Sequence, residues 1–177
     1  MCRLRFVAPE EAGPAARALF KKLVMVPNLF CIIANSEPVL GTFAGHQVNL
    51  GSFRLSARYR EIVSLAVSQL NDCGYCLALH TSRAVEAGVL TRRECLEARR
   101  LHSPDPKTQA LLRLTREILE RRGKIGDAVL DRVRRRGFCD QEIMEAIAVI
   151  AFICMANFTA NLAGPECDFL EAPPLDV

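Results

Sequence analysis

Residues 60–83, REIVSLAVSQLNDCGYCLALHTSR, decide how this chain is read. Ile62, Val63, Leu65, Ala66, Val67 and Leu70 recur at helical spacing, so Arg60 to Leu70 predicts a helix. Asn71-Asp72 interrupts it, and Asp72 is placed to cap a second helix opening near Cys73. Two thiols at the first turn of a helix feel its positive end, which favours the thiolate. Cys73, Cys76 and His80 are spaced by three and four, so they share one face. If the two helices fold back at Asn71-Asp72, Glu61 and His80 stand at comparable depth, given a rise of roughly 1.5 Å per residue. The stretch therefore predicts a thiol pair, a base beside it and a carboxylate to orient the base.

Composition sets the frame for that hairpin. The 177 residues suit one domain, and 50% are apolar, enough for a sizeable core. A net charge of +3 arises from 23 basic and 20 acidic residues, well interspersed. That balance argues against nucleic acid as the main partner. Met1 to Phe6 lacks the apolar core of a signal peptide. The longest apolar run, Ala146 to Ala156, falls short of the roughly 20 residues that span a bilayer. Of the eight cysteines, Cys31, Cys95, Cys139 and Cys154 read as small buried hydrophobes. One deliberate thiol pair in a cytoplasmic chain fits better than a secreted, disulfide-stapled one.

Outward from the hairpin, the chain reads as helices throughout. Residues 1–54 form an N-terminal helical part: a weak extended arm at Arg3 to Val7, then helices at Pro14 to Val24, Asn28 to Ala34 and Val39 to Asn49. Residues 55–101 hold the motif helices, with Ser56 as N-cap of the first and Gly88 closing the second. Thr91-Arg92-Arg93-Glu94 is a capping box for a helix to about Leu101. After the linker His102 to Pro106, residues 107–164 give helices at Lys107 to Arg122, Asp127 to Arg136 and Gln141 to Leu162, the last capped by Asp140. Residues 165–177 are an extended tail. No segment alternates as a strand should, so a single all-α helical bundle over 1–177 is predicted, with the cysteine pair at the start of a helix in a helical hairpin.

The pair itself admits several readings. Structural zinc wants four ligands, and only Cys73, Cys76 and His80 are at hand. Covalent haem attachment needs histidine directly after the second cysteine, where Leu77 stands. The plain alternative is two buried thiols and a core histidine; His80 one turn on and Glu61 across the break weigh against it. A redox dithiol remains. Cys76, one turn from His80, reads as the better-activated nucleophile, and Cys73, at the exposed helix edge, as the resolving thiol. His80 would take the proton from Cys76, with Glu61 holding its tautomer.

The pattern Glu-x11-Cys-x2-Cys-x3-His, at Glu61, Cys73, Cys76 and His80, resembles the signature of the alkylhydroperoxidase D-like (AhpD-like) group of the carboxymuconolactone decarboxylase superfamily. VPNLF at Val26 to Phe30, LSARYREIVSLAVSQLNDCGYC, and the closing pattern from Gly137 through Asn157, Asn161 and Gly164 resemble its peroxidase-related branch. The resemblance implies an all-α fold, a homo-oligomer (trimer or hexamer), and a thiol-dependent alkyl hydroperoxide reductase. In it Cys76 is peroxidatic, Cys73 resolving, and Glu61 with His80 a proton relay. No metal, haem or flavin is required; the expected partners are an organic hydroperoxide and a lipoyl- or thioredoxin-like dithiol, with neither nucleic acid nor membrane. Tyr75 stands where the best-studied member has histidine, so a relay through that position is not carried over. The cysteine pair argues against lactone decarboxylation.

Two further readings stay open: a disulfide-exchange adaptor serving a separate peroxidase, and a non-catalytic helical oligomer with a structural or sensory thiol site. His46 reads as a surface or core residue, with pocket lining as the alternative. Glu145, Asn157 and Asn161 interrupt the most apolar helix; an intersubunit hydrogen-bond network accounts for them, with Asn157 or Glu145 facing the active site as the alternative.

Overall fold

The chain folds around a helix that is buried on every side. A computed structural model describes residues 2–175, and its regular structure is all helical. The helices are α1 (Pro14–Phe20), α2 (Asn28–Ile33), α3 (Glu37–Asn49), α4 (Ala57–Leu70), α5 (Gly74–Glu86), α6 (Arg92–Arg99), α7 (Pro106–Arg121), α8 (Asp127–Arg135) and α9 (Asp140–Ala163). A single 3-10 turn, Leu50–Ser52, follows α3.

In α4 every side chain from Glu61 to Ser68 is buried. A helix enclosed all round belongs at the centre of a domain, and α4 packs against α5, α6, α7 and α9. Its two flanks serve two cores. Val63 and Val67 join the larger one, with Leu111, Leu114, Ile150 and Ile153. Ile62, Leu65 and Ala66 join a smaller one with Leu77, Leu90, Cys95 and Leu112. The first helices, α1 to α3, close over the larger core through Phe20, Leu29, Ile33, Leu40 and Phe43.

The terminating chemistry follows the sequence closely. Ser56 caps α4 by accepting from the Tyr59 N–H, and Thr91 with Glu94 forms the full capping box of α6. Glycine in the left-handed region ends the run after α5 (Gly88, φ 66°) and after α9 (Gly164, φ 63°).

Several expectations are corrected. The break between α4 and α5 lies at Asn71-Asp72 as predicted, yet Asp72 turns the chain with φ 49° and Cys73 takes the N-cap position. Likewise Cys139, not Asp140, caps α9, with its N–H bonded to Glu142 at 2.9 Å. Helix α1 ends at Phe20, where Lys22 and Leu23 bond back only three residues and tighten the chain into turns. Helix α3 begins at Glu37, because Pro38 sits in its first turn, where a missing N–H costs nothing.

Helix α9 is longer than its unbroken apolar run suggested: its 24 residues, with a window of mean hydropathy 2.0, are long and apolar enough to cross a bilayer by length and composition alone. Here its inner face, including Ile143, Ala146, Ile150, Ile153 and Asn157, is the wall against which α4 packs. Its outer face leaves Met144, Ile147, Phe158 and Leu162 exposed.

The tail after α9, as far as residue 175, runs without regular structure and is pinned at three points; the last two residues of the expected 165–177 tail lie outside the described residues. Asn28 donates through its side chain to the Glu166 carbonyl (3.1 Å), its N–H reaches Asp168 (2.9 Å), and Arg99 donates to the Pro173 carbonyl (2.6 Å). The N-terminal arm is tied similarly, Arg3 N–H to the Ala163 carbonyl and Val7 N–H to the Cys31 carbonyl.

Because Leu65 is wholly enclosed at the crossing of α4 with its neighbours, Leu65→Ala is expected to cost about 2–5 kcal/mol. Urea unfolding followed by circular dichroism measures it; a loss below about 1 kcal/mol would contradict the central place given to α4.

Candidate functional site

Folding α5 back along α4 brings Glu61 and His80 together. His80 Nδ1 lies 2.7 Å from Glu61 Oε2, and both residues are only 5% exposed. Arg83, one turn further along α5, places Nε 3.1 Å from the other carboxylate oxygen, Oε1. Burial pushes the Glu61 carboxyl up, but the charge and hydrogen bond of His80, then Arg83 and Arg60, outweigh it and hold the group below the usual carboxylate range. Engaging Nδ1 leaves Nε2 as the nitrogen of His80 free to exchange protons.

The two thiols are more enclosed than the sequence predicted. Cys73 is 0% exposed and Cys76 1%, so Cys73 is not at an exposed edge; Asp72 carries the turn outward and the N-cap position points into the core. The two thiols also differ in their surroundings. The Cys76 thiol donates to the Cys73 sulfur, which, against burial, draws the Cys73 thiol below its ordinary range; the Cys76 amide and Asn157 side chain assist. Donating that hydrogen, then burial and the adjacent Cys73 charge, push Cys76 well up. Of the two, Cys73 is therefore the thiol whose surroundings favour ionisation.

A cavity, however, opens on Cys76. Cys76 shares with His80 a small space of about 40 Å³, walled by Phe30, Phe43, Phe152 and Ile153. A peroxide group or a water or two fits there. On the other side of His80 a space of about 10 Å³ is bounded by His46, Arg60, Glu61, Ser64 and Arg83. His46 is thus a lining residue: its ring stacks on Phe152 at 4.0 Å between centroids, and its buried Nε2 has no hydrogen-bond partner. Burial pushes the His46 pKa down.

Three participants were not assigned from sequence. Arg83 lies on the helical face of His80, one turn on, and that spacing was the available signal. Tyr75 donates its hydroxyl hydrogen to Asp168 of the tail and accepts the Leu29 N–H at 3.3 Å. Burial first, then that bond to a carboxylate, raise the Tyr75 pKa. Nothing local in sequence pairs residues 75 and 168. Asn157, fully buried, donates to Ser68 Oγ (3.2 Å) and accepts from Asn71 (3.0 Å), while Asn161 donates to the Asn71 carbonyl (2.8 Å). The polar residues of α9 therefore bind α4 and its turn within the chain, and Glu145 accepts the Leu55 N–H at 2.6 Å. Among the described residues no group of three or more His, Cys, Asp or Glu side chains is arranged to hold a metal ion.

Residues 47–117, which include Glu61, Cys73, Cys76 and His80, match the model of the carboxymuconolactone decarboxylase family. No curated protein matches the sequence significantly. Among solved structures, a peroxidase-related protein from Ralstonia eutropha JMP134, described as an alkylhydroperoxidase AhpD core, is 21% identical with TM-score 0.81, over 94% of this chain and 92% of that one. A peroxidase-related protein from Silicibacter sp. TM1040 is 22% identical with TM-score 0.75, over 94% of both chains. The debrominase Bmp8, in complex with 2,3,4-tribromopyrrole, is 15% identical with TM-score 0.75, over 95% of this chain and 94% of that one. At such identities these likenesses establish the fold, and the family segment lies on the helical hairpin at its centre. Residues 47–117 are thus similar to the carboxymuconolactone decarboxylase family, on a fold shared with AhpD-like structures.

Proposed function

We propose that this protein is a thiol-dependent alkyl hydroperoxide reductase in which Cys76 attacks peroxide, Cys73 resolves the product, and His80 with Glu61 relays the proton. The observation carrying it is that Cys76 and His80 face one small cavity while Glu61 holds the far nitrogen of His80 at 2.7 Å. His80 takes the thiol proton of Cys76 as peroxide enters. The thiolate attacks the outer peroxide oxygen, an S–O bond forms and the O–O bond breaks. The departing alkoxide recovers the proton from His80 and leaves as alcohol. Cys73, whose thiolate its neighbours favour, then attacks the Cys76 sulfenic acid: the S–S bond forms, the S–O bond breaks, and the hydroxide leaves as water with the proton that the Cys73 thiol gave up.

An external dithiol of lipoyl or thioredoxin type reduces the disulfide in the cytoplasm. A disulfide-exchange adaptor would use the same pair, but would have no need of the cavity that Cys76 and His80 share. The exposed apolar stripe on α9, Met144, Ile147, Phe158 and Leu162, supports assembly into a homo-oligomer, trimer or hexamer, through that helix.

Cys76→Ser is expected to abolish hydroperoxide turnover, and Cys73→Ser to leave a sulfenic acid that dimedone labels, read by mass spectrometry. Wild-type turnover in both variants would overturn the assignment. Sedimentation should give a species heavier than the 19.6 kDa chain, and Phe158→Lys should shift it toward monomer.

The relay also has an acid limit. A carboxyl whose folded pKa is depressed contributes stability above its unfolded value of about 4.3, and that contribution is lost as pH falls through the lower folded value. Urea midpoints of the wild type should therefore hold from pH 7 to about pH 5 and fall below. Glu61→Gln should be less stable at pH 7 and lack that component of the acid slope.

A further inference from the structure

We propose that an open groove beside the reaction cavity binds the acyl chain of an anionic amphiphile, so that the preferred hydroperoxide is that of a medium- or long-chain carboxylic acid. This rests on the peroxidase reading above and names its substrate class. The groove, about 330 Å³, runs between α1, α2, α3 and α5. Its walls include Leu19, Leu23, Phe30, Val48 and Leu79, with Val48 78% exposed.

Pro27, Phe30, Gln47 and Leu79 line both the groove and the cavity that holds Cys76 and His80. A roomy apolar channel therefore adjoins a chamber of about 40 Å³. The chamber suits the peroxide group alone, and the rest of an organic hydroperoxide needs the channel.

The charges on the groove give the occupant its sign. Its two charged lining residues, Lys22 and Arg83, are both cationic, and no acidic side chain lines it. Lys22 is exposed and outside every ion pair of the described residues. Arg83 engages Glu61 through Nε alone among its five N–H donors, with its side chain 43% exposed. An apolar channel with two cationic groups complements a chain bearing one carboxylate. Neither hydrogen peroxide nor a short neutral hydroperoxide would draw on both features.

Binding is testable without any peroxide chemistry, so its outcome is independent of whether the cysteines turn over. Decanoate, octanoate and decanol are titrated into the full-length reduced protein by calorimetry. Decanoate should bind saturably, and octanoate about sixteenfold more weakly, since each buried CH₂ is worth about fourfold. Lys22→Glu should weaken decanoate at least tenfold while decanol binds as before, and Val48→Asp should weaken both. Circular dichroism checks that each variant is folded. The proposal is overturned if decanoate shows no saturable binding, or if Lys22→Glu binds it as tightly as wild type. It is equally overturned if sedimentation of wild type and Val48→Asp shows that a second copy of the chain occupies the groove.

Discussion

A carboxylate enclosed as deeply as Glu61 must be answered on both oxygens, because an unpaired buried charge costs several kcal/mol. His80 answers one oxygen and Arg83 the other. Both partners come from α5, so the pairing is met only when α5 lies antiparallel against α4. The fold and the site are thus one constraint: the reversal at Asn71-Asp72 that lets the central helix bury its remaining surface also closes the carboxylate–imidazole pair.

The same reversal sets the character of the thiols. Cys73, at the N-cap, is turned inward toward Asn157, and Cys76 is turned toward His80 and the small cavity. Two sulfurs three residues apart thereby occupy different surroundings, one polar and assisted, the other walled by aromatic rings. Asn157 links the pair to the turn that produces it, since it also holds Asn71 and Ser68. Polar atoms placed in the middle of the most apolar helix are satisfied inside the chain, as buried polar groups must be.

Much of this was legible in the sequence because it is local. Periodicity gave α4, α5, α7 and α9, and Ser56, Thr91, Gly88 and Gly164 act as caps where their chemistry demands. Even the meeting of Glu61 with His80 followed from counting residues on either side of a break. What escaped depends on tertiary direction. Helical spacing puts Cys73, Cys76 and His80 on one side but does not say which edge faces solvent, so Cys73 was misplaced. Cys139 serves as a cap although the neighbouring aspartate is the commoner cap type. The bond from Tyr75 to Asp168 joins residues 93 apart through the path of the tail, and no residue pattern encodes that. His46 reached the pocket because α3 lies against Phe152, a packing outcome that spacing alone leaves undetermined.

The central claim is that Glu61 and His80 act as one unit on Cys76. Stopped-flow mixing of the reduced protein with tert-butyl hydroperoxide, wild type against folded Glu61→Gln at pH 7, tests it directly. General-base assistance of this kind is worth about 10²–10⁴ in rate. The account predicts that wild type reacts far faster than a free thiol and that the variant loses at least about a hundredfold. Equal rates in the two proteins, or a wild-type rate no greater than that of a free thiol, would contradict it.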